Sequence, residues 1–461
     1  DDRTEVTGEV VIDSREVTPG ALFAALPGER TDGHAHLPAA LSAGAAGALV
    51  SDVRAARAST APSDHLVLVA DVTRALGDLA RHVLAELRRR RAGQDPLRVV
   101  AVTGSVGKTT TKDLLADLLA PLGELIAPPG SFNNEIGLPL TVLRAGESTR
   151  TLVLEMGADR VGNLRDLTAI APPDVAVVLR VARAHLGEFG GIEQVARAKG
   201  ELVTGLVPAG IAVLNADDPR VAAMAGLAPG AVRTFGTGED AQVRAAGIAL
   251  DTTGRAEFTL HVGDRAVPVR LGLVGAHHVT NALAAATVAT TLGLAPEDVA
   301  AALGRSRARS PHRMHVVDRA DGVRVIDDSY NANPDSVRAG LRALVASGQD
   351  GGRRTVAVLG EMLELGADHD AEHHALGAEA ADLGVDVVLA VGTGAAAVAR
   401  GAAAGGATAT RELPDVAATA RALAEELRAG DVVLVKGSHG TGLWRLADDL
   451  LAGEVAGGDA R

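Results

Sequence analysis

At 461 residues the chain exceeds what one hydrophobic core usually holds, so two to four domains are expected. Zero cysteines exclude disulfides and thiolate metal sites, and a formal net charge of -13 excludes broad affinity for nucleic acid and favours a small, locally recognised substrate. The chain reads as soluble and cytoplasmic, without stable membrane insertion, because it shows neither a run of about 18 apolar residues nor a charged-then-apolar leader.

Hydrophobic residues make up 47% of the chain but aromatics only 2%, so the core must be packed from Ala, Val and Leu. The first ninety or so residues alternate short apolar runs, Glu9 to Ile12, Ala21 to Leu26, Ala48 to Val50 and Leu66 to Val69, with turn residues. They close in a helix-like stretch ending at Arg88 to Arg91, and Ala92-Gly93-Gln94-Asp95-Pro96 reads as a linker. Apolar runs at Val99 to Val102, Thr151 to Leu154, Val175 to Val181 and Ile211 to Leu214 follow, separated by helix-length segments. That is the pattern of a mostly parallel sheet covered on both faces. From Val243 to Val274 the periodicity shifts toward alternation, which predicts antiparallel strands at the sheet edge, followed by a helix over Asn281 to Leu292. Arg305 to Pro311 reads as a second linker. Strands predicted at Val323 to Ile326, Thr355 to Leu359, Asp386 to Val391 and Asp431 to Val435 make a doubly wound C-terminal domain. The expectation is an α/β chain of three domains, at residues 1–95, 96–308 and 309–461.

The strand Val99 to Val102 runs into Thr103-Gly104-Ser105-Val106-Gly107-Lys108-Thr109-Thr110, with a helix predicted from about Thr110. A glycine turn between strand and helix aims backbone N–H groups at one spot, where the helix dipole also favours an anion. Lys108 suits the β and γ phosphates of ATP and the Thr109 hydroxyl suits a magnesium ion. The strict phosphate-loop pattern wants glycine at 102, where this chain has Val102. Such loops serve transporters, switches, kinases and ligases, so the loop alone names no reaction.

Glu155 closes the run Leu154-Glu155-Met156-Gly157, at a carboxyl strand end, where a carboxylate suits magnesium. His185 follows the third strand and Lys199 lies fourteen residues on. Only four of the 45 basic residues are lysines, Lys108, Lys112, Lys199 and Lys436, so each marks a place where arginine does not serve. Asparagine is scarce too, and five of its seven positions fall in the motifs below.

Those motifs follow one another in order: Gly104-Ser105-Val106-Gly107-Lys108-Thr109-Thr110-Thr111-Lys112, Asn133-Asn134-Glu135-Ile136-Gly137-Leu138-Pro139, Glu155-Met156-Gly157-Ala158, Ala198-Lys199-Gly200-Glu201, Asn215-Ala216-Asp217-Asp218 and Asp328-Ser329-Tyr330-Asn331-Ala332-Asn333-Pro334. Together they resemble the Mur ligases, from Asp13-Ser14-Arg15 near one end to Lys436-Gly437-Ser438 near the other. The resemblance implies an N-terminal domain for a UDP-sugar, a central P-loop ATPase and a C-terminal Rossmann-like domain for the incoming amine. It implies the member that joins D-alanyl-D-alanine to UDP-N-acetylmuramoyl-tripeptide through an acyl phosphate, acting as a monomer. Its cofactors are ATP and two magnesium ions, held by Thr109, Glu155, His185 and a carbamylated Lys199. Asn281, Arg313 and Asp328 match nucleotide contacts; Ser14, Arg15, Asn133, Asn134, Ser329, Tyr330, Asn331, Asn333, Lys436 and Ser438 match substrate contacts. His278 stands where the family has Asn, and His439 where it usually has Arg. The alternatives are a sister ligase adding the third amino acid and a P-loop ATPase switch without ligation.

Overall fold

The computed structural model describes residues 5–28, 31–52, 54, 65–93, 95–128, 130–182, 189–251, 253–349 and 351–453. Among these residues the strands form three sheets, of four, nine and six strands. The first is all parallel, with Val10–Val11, Leu22–Ala24, Gly47–Val50 and Leu66–Leu68 side by side in chain order. The helix Val72–Arg90 then leaves it, capped by the Asp71 carboxylate, which accepts from Arg74 N at 2.9 Å. Its Val72 packs with Leu22, Ala24 and Leu49, while Ala80, Leu84 and Leu87 pack into the core of the second sheet. One helix thus joins two cores, and Arg88 fixes its far end by an ion pair to Asp174 at 2.6 Å.

In the nine-stranded sheet, Arg98–Thr103 lies between Thr151–Glu155 and Val175–Val178, all parallel. The chain builds outward on one side of Arg98–Thr103 and then crosses to the other, so this strand is the topological switch point. A crevice must open there, outside the carboxyl ends of the strands. Three antiparallel strands, Val243–Leu250, Arg255–Val262 and Arg265–Val274, form one edge, as the alternation predicts. The predicted strand over Val175 to Val181 stops at Val178. The next residues leave the sheet to brace the phosphate loop: Ser105 N donates to Arg180 O at 2.9 Å, and Ala182 N donates to Ser105 Oγ at 2.9 Å. Buried Asn215 holds the bend by donating to Leu179 O at 2.8 Å, and Asp218 accepts from Val181 N at 2.8 Å.

The six-stranded sheet runs in the order His315–Asp318, Arg324–Asp327, Val432–Lys436, Thr355–Gly360, Val387–Val391 and Ala409–Leu413. The last strand of the chain enters between Arg324–Asp327 and Thr355–Gly360 and is parallel to both. This second switch point carries Asp328 and Lys436 at its carboxyl ends. All three cores are built from Ala, Val and Leu, as the composition requires. Small residues allow close helix contact: a Cβ on Gly377 would sit 1.9 Å from Val398 O, and one on Gly401 would sit 1.9 Å from His374 O.

Candidate active site

The phosphate loop sits at the first switch point. The helix after it, Lys108–Leu119, begins at Lys108 and not at Thr110, so Lys108 and Thr109 occupy its first turn beside the unpaired N–H groups. Gly107 takes φ +84°, and a Cβ there would lie 2.3 Å from Asn281 Oδ1. Asn281, on the helix His278–Thr291, is therefore pressed against the loop. It lies 3.2 Å from His278 Nδ1, so the histidine that replaces an expected Asn props Asn281 from inside the core. Gly104 permits another close approach, since its Cβ would be 2.9 Å from Leu179 Cβ. Lys108 Nζ donates to Gly104 O at 2.9 Å. Burial pulls the Lys108 pKa down, Glu155 opposes that pull and Arg313 adds to it, with a net lowering.

Glu155 is 1% exposed. Its Oε2 accepts from Thr109 Oγ1 at 2.8 Å, and its Oε1 accepts from Ser131 Oγ at 2.8 Å and Asn133 Nδ2 at 2.9 Å. Burial would raise its pKa. The charges of Lys108 and Arg313, with the bonds from Asn133 and Ser131, outweigh burial and hold the carboxyl below its usual range. Ser131 is a partner that sequence reasoning did not single out; a serine in a Gly/Pro-rich loop gives no signal of its own.

Lys199 lies on the helix Ile192–Thr204 and is 3% exposed. Burial, and then the charge of Lys108, lower its amine to about 7. Among the described residues it has no hydrogen-bond partner. His185 lies outside the described residues.

The opposite wall belongs to the C-terminal sheet. Lys436 Nζ bonds Asp328 Oδ2 at 2.5 Å and Asn331 O at 3.0 Å, tying two strand ends together. Arg313 lies over the Tyr330 ring at 4.1 Å. It stands between His312 and Met314, both with positive φ, which aims it back toward the phosphate loop. Asn333 Oδ1 accepts from Ser336 N at 2.9 Å and so caps the helix Pro334–Gln349. His439 stacks on Trp444 with centroids 5.9 Å apart and lies 5.3 Å from Tyr330.

These groups meet around one cavity of about 570 Å³. Ser105, Val106, Gly107, Lys108, Thr109, Thr110, Asn133, Asn134, Glu155, Asn281, Arg313, Asp328, Tyr330, Asn331, Asn333 and Lys436 line it. Lys199 and Gly104 sit behind the wall. Ser329 is buried, with its Oγ donating to Asp327 Oδ1 at 2.6 Å, and Ser438 Oγ accepts from Leu363 N at 3.0 Å; neither lines the cavity. Ser14 and Arg15 lie apart from it, in the short turn Ser14–Glu16 of the N-terminal sheet. His277, next to the His278 that stands where the family has Asn, also lines the cavity, as do Arg160 and Asn163, which carry no motif that would have revealed them.

Lys108 and Arg313, beside the Glu155 carboxylate and at a helix N-terminus, form a site for a polyphosphate. One carboxylate beside one hydroxyl also fits magnesium, which keeps waters and phosphate oxygens as its other ligands. Among the described residues no cluster of three His, Cys, Asp or Glu that could hold a metal ion is present.

Three family descriptions match the chain: "Mur ligase family, catalytic domain" at residues 8–90, "Mur ligase middle domain" at 102–289 and "Mur ligase, glutamate ligase domain" at 312–439. A Mycobacterium bovis protein named UDP-N-acetylmuramoyl-tripeptide–D-alanyl-D-alanine ligase is 48% identical, over 98% of this chain and 94% of its own length. The crystal structure of MurF from Acinetobacter baumannii superposes with TM-score 0.82 at 32% identity, covering 96% of this chain and 93% of that one. The MurF ligase of Thermotoga maritima in complex with ADP gives TM-score 0.81 at 30% identity over 98% of both chains.

Gly107→Ala adds a Cβ at positive φ against Asn281. It is expected to weaken ADP binding at least about tenfold, ~1.4 kcal/mol or more, as read by titration calorimetry. Affinity within about twofold of the parent would contradict a nucleotide on this loop.

Proposed function

The chain belongs to the Mur ligase family, and we propose that it joins D-alanyl-D-alanine to UDP-N-acetylmuramoyl-tripeptide, driven by ATP, through an acyl phosphate. The observation that carries this reading is the shared cavity. The phosphate loop and Glu155 form one wall; Asp328, Tyr330, Asn331 and Lys436 form the other, so a nucleotide and an amine can meet between two sheets. The relative that is 48% identical bears the name of this reaction. Residues 1–95 take the UDP-sugar through the turn that carries Ser14 and Arg15, residues 96–308 take ATP, and residues 309–461 take the dipeptide. Both cavity walls come from one chain, so a monomer suffices. The reaction belongs in the bacterial cytoplasm, where ATP is available.

A terminal carboxylate oxygen of the tripeptide attacks the γ-phosphorus, the bond to the β-phosphate oxygen breaks, and ADP leaves. Lys108 and Arg313 face the charge that develops on the phosphate oxygens; both are in place before the reaction, so no reorganisation is needed. The neutral amine of D-alanyl-D-alanine then attacks the acyl carbon, phosphate departs with the C–O electron pair, and the new amide sheds a proton. Bound magnesium would neutralise phosphate charge. Thr109 and Glu155 would hold one ion, and His185 and the Lys199 carbamate the second. Only an uncharged primary amine takes up carbon dioxide, so a buried lysine lowered to about 7 suits that modification and an arginine does not.

Four outcomes are expected. Phosphate release should require both the nucleotide tripeptide and the dipeptide. Hydrolysis indifferent to them would mark an ATPase switch, and turnover with a single diamino acid in place of the dipeptide would mark a sister ligase. Lys199→Ala should abolish ligation and be partly restored by a short carboxylic acid. In the parent, activity should fall as pH drops through about 7, because the amine protonates and stops taking up carbon dioxide, and added bicarbonate should offset part of the loss. A pH profile flat through 7 would contradict the carbamate. Asn331→Ala should raise the KM for the dipeptide about tenfold and leave the KM for ATP within about twofold; equal effects would remove Asn331 from the amine site.

A further inference from the structure

Of the four lysines, Lys108, Lys199 and Lys436 border the reaction described above, and Lys112 does not line the cavity. Lys112 lies one turn into the helix Lys108–Leu119 and is 0% exposed. Its Nζ donates to Pro128 O at 2.5 Å and Gly130 O at 3.0 Å, reaches Ser310 Oγ at 3.4 Å and pairs with Asp113 Oδ1 at 2.9 Å. Three ammonium protons are thus shared among four oxygens packed around a point. A planar guanidinium spreads its donors over a wider fork and does not fit such a site. This accounts for a retained lysine in an arginine-rich chain.

Among the described residues, Lys112 is the only side chain that bonds the carbonyls of Pro128 and Gly130. Pro128 and Gly130 lie outside helix and strand, and the chain beyond Gly130 carries Ser131 and Asn133. Those two residues hold Oε1 of Glu155, and Asn133 O accepts from Gly157 N at 2.8 Å, just past the carboxylate. The other carboxylate oxygen, Oε2, is then left facing the Thr109 hydroxyl. We propose that Lys112 is a positioning residue. It ties Pro128 and Gly130 to the phosphate-loop helix, so that Ser131 and Asn133 just beyond them fix the rotation of the Glu155 carboxylate and Oε2 is presented to the magnesium of the bound nucleotide. The inference rests on the reading of Glu155 as a magnesium ligand.

The test measures ADP binding to the full chain with and without magnesium chloride, by titration calorimetry, so it needs no ligation. The parent should bind ADP more tightly with magnesium. Lys112→Met should lose at least about tenfold of that gain while its metal-free ADP affinity stays within about twofold of the parent. A general loss of structure would instead lower both affinities together. Lys112→Gln, one atom shorter and uncharged but still a donor, should fall between parent and Lys112→Met. If Lys112→Met keeps the full magnesium-dependent gain, the inference is overturned. If that variant does not fold, full parental gain in Lys112→Gln overturns it equally. A parent without any gain overturns the reading of Glu155, and this inference with it; a parent with gain that the variants keep overturns this inference alone.

Discussion

A carboxylate that is 1% exposed has to stay ionised, and the centre of this molecule is arranged around that requirement. Burial alone would neutralise Glu155. Lys108 and Arg313 supply opposing charge, and Thr109, Ser131 and Asn133 occupy both oxygens. These partners come from the phosphate-loop helix, residues 131–133 and the segment leading into the C-terminal sheet. The carboxylate therefore links sites far apart in sequence, and the same low dielectric that makes it costly to bury makes its interactions strong.

Topology explains why these groups converge. Arg98–Thr103 is the strand at which chain order reverses, and Val432–Lys436 has the same position in the C-terminal sheet. Each reversal opens a crevice at the carboxyl ends of strands, and here the two crevices face one cavity. Lysine use follows from the demands of that geometry. Lys108 enters a phosphate cradle, Lys436 joins Asp328 to Asn331, burial lowers the pKa of the Lys199 amine, and Lys112 fills a pocket of four oxygens. None of these tasks suits a planar, permanently charged fork.

The parts of this arrangement legible in the sequence are those with local signatures. The strand, glycine turn and Lys-Thr pair announce the phosphate loop, and Glu155 is visible as a carboxylate at the end of an apolar run. Central strands such as Thr151–Glu155 and Val432–Lys436 are buried on both faces, so their runs are unbroken. His315–Asp318 and Ala409–Leu413 sit at sheet edges, half in water, and their mixed composition hid them. Ser131, and the task of the scarce Lys112, were hidden for another reason: Glu155 for the serine, and Pro128 O, Gly130 O and Ser310 for the lysine, are brought close only by tertiary folding. Asn333 shows a motif residue with two tasks, since its oxygen caps a helix while its amide still faces the cavity. Ser329 and Ser438, part of the same family strings, turned out to be bonded inside the C-terminal sheet.

If this buried site makes an acyl phosphate, an oxygen of the peptide carboxylate must pass to phosphorus. The most direct measurement labels that carboxylate with oxygen-18 and examines the phosphate released during ligation by mass spectrometry. Attack on the γ-phosphorus carries one labelled oxygen from the carboxylate into phosphate, so one label per phosphate formed is expected. Phosphate without label, while amide is still produced, would show that the carboxylate never bonded to phosphorus and would rule out the acyl phosphate.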